Sequence, residues 1–469
     1  MENKNELEYK EQQIAGVLTQ KQQADAFAFC ENCKVFLNNG KTEREAAKFI
    51  VAAAGKAGFK EWNGTPVKAG EKVYFINRKK SVVLVKAGTA DIEQGINLII
   101  AHIDSPRLDL KPKPLYEDGG MALLKTHYYG GIKKYQWTTT PLAIHGVVIK
   151  KDGTPAEVKI GEDEGDPVFC ITDLLPHLSR NQDQKKLSEG IEGEGLNVLI
   201  GSLPIKKEGK AGDKDKEDSK EAAGIKQNIL KLLNSKYGIT ERDLVTAELE
   251  IVPAFKAKDV GLDLSMLGSY GLDDHICAYP SLMSVLELKN NKKTAVLILA
   301  DKEEIGCEGI TAPTPLFIRD LIADIAGKDK NIRKVLAGSA CMSADVTAAF
   351  DPNYADAYEK RNSSILGYGV SVEKYGGARG KGGSSDASAE FVSKICTMLD
   401  DNKVIWQTGE LGKIDLGGGG TFASEVAHAG VEVIDVGVPI LSMHSPFEVA
   451  SKMDIYMTYL AYSKFLEKF

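Results

Sequence analysis

Five separated stretches of this sequence carry histidines, carboxylates or both. They are Ala101-His102-Ile103-Asp104-Ser105-Pro106, Leu272-Asp273-Asp274-His275, Asp301-Lys302-Glu303-Glu304-Ile305-Gly306, Ser343-Ala344-Asp345 and Met443-His444-Ser445-Pro446. Imidazole nitrogens and carboxylate oxygens are the ligands that a divalent ion such as zinc takes. Two histidines and three or four carboxylates brought together make a two-metal hydrolase site, with one carboxylate left over as a base. On a strand, period two points His102 and Asp104 the same way, so Asp104 can take the second ring N–H of His102 and fix its tautomer. Of the neighbours Glu303 and Glu304, one can bind metal while the other takes a proton from a water whose pKa falls to ~7 on zinc. The pair Asp273-Asp274 offers a carboxylate able to bridge two ions. Each stretch alone has a plainer reading: a histidine closing a strand, an acidic loop, an Asx turn or a helix cap.

Such residues act together only if the fold brings them to one edge. The first, third and fourth stretches, and His444, directly follow apolar, β-rich runs: Ile96 to Ala101, Ala295 to Ala300, Val335 to Met342 and Val433 to Leu441. An α/β sheet delivers side chains from such strand ends to a crevice at its carboxyl edge. Strands are expected at 294–300, 334–342, 403–407 and 431–437, with helices between. Upstream, Gln20 to Phe36 has helical spacing and stops at Asn38-Asn39-Gly40. Thr42 with Glu45 forms a capping box for a helix running to about Lys56. Val73 to Val85 alternates like a hairpin. At the far end, Ser445 as N-cap, Pro446 in the first turn and Glu448 as the capping-box partner predict a helix with Val449, Met453, Tyr456 and Leu460 on one face. The character changes between about 108 and 252. There Lys111-Pro112-Lys113-Pro114, a Gly130-Gly131 turn and strand pieces such as Ala143 to Ile149 precede a run of Lys, Asp, Glu and Gly at 206–221, which reads as a surface loop. The expected architecture is α/β: one catalytic domain, 1–107 plus 253–469, split in sequence by a mainly-β module at 108–252.

With 469 residues, 43% apolar and 27% charged, the chain has the balance of a globular protein with a large core. Its net charge of −7 argues against a general nucleic-acid surface. Seven scattered cysteines fit reduced thiols better than a disulfide framework. The charged start, Met1 to Lys21, lacks the apolar core of a signal peptide, and no apolar run approaches the ~18 residues of a membrane span. The cytoplasm is the expected location. Cys30-x-x-Cys33 has no second pair and reads as structural thiols. Gly417 to Gly420 lacks the Lys-Ser/Thr of a P-loop and reads as a glycine wall beside a substrate, Gly418 included. His127, His145, His177, His275 and His428 read as structural.

Taken together, AHIDSPRLDLKP (101–112), THYYGG (126–131), LDD (272–274), DKEEIG (301–306), SADVTAAFDPNY (343–354) and DVGVPILSMHS (435–445) closely resemble the aspartyl aminopeptidase / aminopeptidase I family of di-metal exopeptidases. The resemblance spans most of the chain in one consistent order. It implies a mixed-sheet, three-layer metallopeptidase domain interrupted by a dimerisation domain, and a tetrahedral dodecamer built from dimers. It implies two divalent ions per subunit, zinc, with cobalt or manganese as alternatives. His102 and Asp345 would bind one ion and Glu304 and His444 the other. Asp273 would bridge them through a cis bond to Asp274. Glu303 would be the general base and Asp104 would orient His102. Family members also lend a histidine from the dimerisation domain to a neighbour's site, and His177 matches best. Peptides would be the substrates. Acid-preferring members place histidines soon after the metal-binding aspartate, where this sequence has Val346-Thr347-Ala348-Ala349, and a lysine near the substrate side chain, for which Lys374 is the counterpart. An acidic and a neutral or apolar amino-terminal preference therefore both stay open. The alternatives are a di-metal amidohydrolase, either a carboxypeptidase or an N-acyl deacylase, and a catalytically silent cage or binding protein.

Overall fold

The computed structural model describes residues 7, 9, 11–205, 224–383 and 385–469, and the charged segment expected at 206–221 lies outside them. The chain forms two compact units, Met1–Ser105 with Lys256–Phe469, and Pro106–Phe255.

Among the described residues, the first unit is built on a nine-stranded sheet. Its spatial order is Lys60–Glu61, Lys72–Asn77, Ser81–Lys86, Thr294–Ala300, Ile96–His102, Ala340–Ser343, Glu432–Gly437, Val370–Glu373, Trp406–Thr408. The four strands from Thr294–Ala300 to Glu432–Gly437 are mutually parallel, so their carboxyl ends share one edge. Antiparallel strands flank them on both sides. These central strands are mostly apolar because both faces are covered, as expected of parallel strands. Period two divides their side chains. Ile99, Ala101, Leu297 and Leu299 join one core cluster with Phe36, Ile50, Ile276, Phe391 and Phe465. Leu98, Ile100, Val296 and Ile298 join a second, with Ile318, Ile322, Val335 and Val426. The first face is thus covered by Gln20–Asn39, Glu43–Lys56, Leu272–Leu286, Ala389–Asp401 and Lys452–Lys468, and the second by Pro315–Ala326, Ile332–Ala337 and Ala423–Ala429. The fold is a three-layer mixed α/β sandwich. A second, smaller sheet orders Lys258–Val260, Met266–Ser269, Glu448–Ser451, Pro439–Leu441 and Thr347–Ala348.

Local chemistry accounts for most of these boundaries. The Thr42 hydroxyl accepts the Glu45 N–H (3.3 Å) at the start of Glu43–Lys56. Thr19 and Gln22 form a reciprocal capping box at Gln20–Asn39. Two expectations are corrected. The apolar run from Val335 begins as a helix, Ile332–Ala337, capped by Asn331, and becomes a strand only at Ala340–Ser343. Gly338 breaks it, because a Cβ there would sit 2.9 Å from the Gln94 carbonyl oxygen. The last helix begins at Lys452, not near Ser445. Glu448–Ser451 is instead a strand pairing with Met266–Ser269 and Pro439–Leu441. Tertiary pairing overrides the local capping signal.

The second unit contains, among its described residues, a six-stranded antiparallel sheet ordered Pro155–Ile160, Leu142–Ile149, Ala247–Pro253, Arg107–Asp118, Met121–Tyr129, Asn197–Gly201. Helix Ile225–Tyr237 packs on it, and Gly238 ends the helix in the left-handed conformation that glycine adopts freely. No described helix is long and apolar enough to cross a membrane. All seven cysteines are free.

Candidate metal centre

Strand ends and three tight turns position the cluster. His102 is the last residue of its strand and stands opposite Ala300 on the neighbouring one. The chain beyond Ala300 turns sharply. Lys302 takes a left-handed backbone (φ 82°), a single turn Glu303–Ile305 follows, and Gly306 (φ 77°) closes it. The exposed N–H groups of that turn are the orphan donors of a helix start. Asp104 takes both, Glu303 N–H on Oδ1 (3.2 Å) and Glu304 N–H on Oδ2 (3.3 Å). Asp273 lies where the chain enters Leu272–Leu286 through a cis peptide bond to Asp274. Asp274 accepts the backbone N–H of His102 (3.2 Å). Asp345 follows Ala340–Ser343. His444 sits on a loop held in the left-handed region, with φ 58° at Ser442 and 64° at His444. Non-glycine residues occupy that region at a cost of ~1–2 kcal/mol each.

The reactive atoms converge. His102 Nε2 lies 3.0 Å from Asp273 Oδ1 and 3.7 Å from Asp345 Oδ1. His444 Nε2 lies 3.2 Å from Asp273 Oδ2 and 3.6 Å from Glu304 Oε2. The two oxygens of Asp273 therefore face two different imidazoles. His102 Nδ1 is 2.8 Å from the Asp104 carbonyl oxygen, which orients the ring so that Nε2 points into the cluster. His102 Nε2, Asp273 Oδ1 and Glu304 Oε1 are buried yet make no hydrogen bond. Buried polar atoms of this kind are rare and need a partner. Ligands on a tetrahedral ion with bonds of ~2.0–2.1 Å stand ~3.3 Å apart, and the 3.0–3.7 Å separations here bracket that spacing. The donor set fits divalent cations of the zinc kind.

The electrostatics say the same. Burial pushes the Glu303 carboxyl up to about 8, with Asp345, Asp273 and Asp104 adding to the rise and His102 opposing it. Glu304 is also raised well above the carboxylate range, by burial first and then Asp273. Burial disfavours charge on Asp273, but His102 and His444 outweigh it and hold that carboxyl below its ordinary value. Burial likewise disfavours charge on His102, and Asp104, Asp273 and Asp345 reverse the sign. Carboxylates this crowded repel one another, and cations among them relieve the repulsion. The Glu303 side chain is 16% exposed and the Glu304 side chain 2%. Glu303 is thus the one of the pair that reaches the open side of the cluster, 4.0 Å from His102 Nε2.

The remaining expected site residues are placed differently. Lys374 is exposed just past strand Val370–Glu373, while its neighbour Glu373 turns inward and accepts the Thr347 hydroxyl. Gly418 pairs with Ala378 in a two-residue bridge, and a Cβ on it would lie 2.4 Å from the Gly377 carbonyl oxygen, so backbone packing accounts for that glycine. His177 is exposed on a turn of the second unit. His275, at the cluster's edge, is buried and held neutral, with its pKa lowered to about 4 by burial and then by His102. Sequence reasoning missed the backbone-holding roles of Asp274 and Glu448. The second has a readable signal, a glutamate four residues after His444.

Residues 36–466 match the family described as aminopeptidase I zinc metalloprotease (M18). A probable M18 family aminopeptidase 1 of Clostridium acetobutylicum is 49% identical over 456 residues, covering 95% of this chain and 96% of that protein. The crystal structure of an M18-family aminopeptidase from Thermotoga maritima superimposes with a TM-score of 0.91 at 42% identity, covering 98% of this chain and 100% of that one. The mApe1 dodecamer of S. cerevisiae shares the fold, with a TM-score of 0.74 at 19% identity, covering 95% of this chain and 97% of that one.

Proposed function

Because the chain belongs to the aminopeptidase I (M18) family of zinc metalloproteases, we propose that it removes single residues from the free amino terminus of peptides at the His102–His444 cluster. The observation that carries this reading is Asp273, whose two oxygens face two imidazoles beside buried atoms that lack partners. His102 and Asp345 would hold one divalent cation, Glu304 and His444 the other, and Asp273 both. Such a pair supplies Lewis acidity toward a water and a peptide carbonyl.

The protein's own residues do the rest. Glu303 stands beside the ligand set without being needed in it, and takes the proton of the attacking water. It returns that proton to the amine that leaves, as a base whose proton affinity has been raised by burial can do. Asp104 keeps Glu303 and Glu304 in place through their backbone N–H groups. The surplus of carboxylates gives the substrate's α-ammonium a favourable environment, and this restricts cleavage to the terminus. The side-chain preference, acidic or neutral and apolar, is left to measurement. Self-association through the second unit is part of the reading. Its Leu174, Leu175 and Leu178 are all about half exposed or more, and exposed apolar groups of this kind are what subunit contacts cover.

The test is a panel of amino-terminal residue p-nitroanilides and their N-acetylated forms, with zinc, cobalt or manganese returned to chelated protein. Metal-dependent release from free amines alone is expected. Release from the acetylated forms would overturn the exopeptidase assignment.

A further inference from the structure

Glu448 is 1% exposed and opens the strand Glu448–Ser451, where pairing sets it opposite Ser269. Its carboxylate is divided between two backbones. Oε1 accepts the N–H of His444 (2.7 Å) and Oε2 the N–H of Asp273 (3.2 Å). These are the two residues whose side chains face each other across 3.2 Å, His444 Nε2 to Asp273 Oδ2. One comes from a loop with left-handed backbone, the other from the non-helical entry to Leu272–Leu286. The left-handed backbone at His444 is costly for a non-glycine residue, and Asp273 comes from a distant part of the chain, so their spacing must be imposed from outside. Glu448 spans both. It belongs to none of the groups of side chains that could hold an ion among the described residues, and both its oxygens already serve backbone donors.

We propose that Glu448 is a positioning residue for the cation held by Asp273, Glu304 and His444, fixing the distance between two of its ligands through their backbone N–H groups. The inference rests on the metalloaminopeptidase reading above. It also explains why the residue is a glutamate. Two N–H groups demand two acceptors. Glutamine offers one acceptor and turns an NH2 toward the other N–H. Aspartate is a methylene short and reaches only one of the two. Neither substitution keeps both bonds.

The experiment compares Glu448→Gln and Glu448→Asp with the unaltered protein and with His444→Ala, all as holoenzyme dialysed against buffers of fixed free zinc. Zinc content is measured at each concentration, and the visible spectrum is recorded after cobalt substitution. Loss of a residue that holds a metal ligand in place typically weakens the site tenfold to a hundredfold. One of two zinc ions should therefore leave the Glu448 variants at a free zinc concentration higher by that factor. The other should stay, the cobalt bands of one ion should change, and kcat should fall with little change in KM. Wild-type zinc affinity for both ions with an unaltered cobalt spectrum in Glu448→Gln overturns the proposal. Where that variant does not accumulate folded, the same result in the charge-preserving Glu448→Asp overturns it. The reference variant separates the two readings: if His444→Ala also keeps both ions, the ligand assignment itself falls.

Discussion

Replacing Glu303 by glutamine exchanges one oxygen for an amide nitrogen and leaves the side chain's volume unchanged. Of the three groups of side chains that could hold an ion among the described residues, His102–Asp273–Asp345 and Asp273–Glu304–His444 do without Glu303 and His102–Glu303–Glu304 includes it; with the first two as the proposed ligands, zinc content should match the unaltered protein. The amide cannot accept the proton of the attacking water. Losing a positioned general base costs roughly 10²–10⁴ in rate, ~2.7–5.5 kcal/mol of barrier, and the loss should fall on kcat. Stability in chelated protein should move the other way. Burial, reinforced by Asp345, Asp273 and Asp104, raises the Glu303 carboxyl from 4.5 to about 8. A folded-state pKa above the unfolded one means that folding takes up a proton. The stability so gained is complete below pH ~4.5 and is lost as pH rises through about 8. Glutamine carries no such proton. Chelated Glu303→Gln should therefore be the more stable protein at pH ~9, by on the order of 5 kcal/mol, and the advantage should vanish by pH ~4.5. The assays are p-nitroanilide hydrolysis with metal analysis, and urea unfolding in chelator at the two pH values. A variant within tenfold of wild-type kcat refutes the base. Equal stability at both pH values refutes the account of the crowded carboxylates.

Other outcomes follow from single contacts. Chelation should abolish hydrolysis and zinc should restore it, with zinc at a hundred times its Kd adding ~2.7 kcal/mol to stability; a melting temperature indifferent to zinc would count against a site in the folded state. Asp104→Asn turns an NH2 toward the N–H of Glu303 or Glu304 and should weaken zinc binding tenfold to a hundredfold, ~1.4–2.7 kcal/mol, which equilibrium dialysis reads and unchanged affinity would refute. Gly437→Ala places a Cβ 1.6 Å from the Asp345 carbonyl oxygen, so the strand or Asp345 must move, and the variant should lose zinc or fail to accumulate folded; a soluble variant with full zinc content would show that the strand yields without cost.

Residues of the cluster are legible in the sequence where they follow strand ends. Within Ile96–His102 and Thr294–Ala300 the stretches Leu98 to Ala101 and Ala295 to Ala300 are apolar, and the polar residues that follow them stand at the sheet's edge. What failed was the discrimination of apolar runs that lack alternation. Val335-Leu336-Ala337 suits a strand and a short helix equally, and the choice is made by Asn331 as a cap and by close packing at Gly338. The apolar run Val433 to Leu441 is cut at Val438 into Glu432–Gly437, close to the strand expected at 431–437, and Pro439–Leu441, which lie in different sheets. Ser445 and Glu448 have the right residue types and spacing for a capping box. There the local rule was chemically sound and still lost, because the Glu448 carboxylate finds its donors at His444 and at Asp273, 175 residues away in sequence. No window of local sequence contains that competitor.

The same contacts explain why so much negative charge is tolerated in one place. Three buried carboxylates beyond the ligands hold backbone: Asp104 on Glu303 and Glu304, Asp274 on His102, and Glu448 on Asp273 and His444. A neutral acceptor could satisfy one N–H in each place, but only a carboxylate offers two equivalent oxygens at the spacing of two adjacent donors. Asp104 and Glu448 use that property directly. The geometry they enforce comes with an electrostatic cost: at Glu303, where burial is the main cause of the raised proton affinity, Asp104 adds to the rise together with Asp345 and Asp273. Rigid ligand loops and mutual repulsion are therefore one design. The braces fix oxygens where cations would sit, and the repulsion they add makes binding those cations more favourable than it would be in a relaxed, solvated loop.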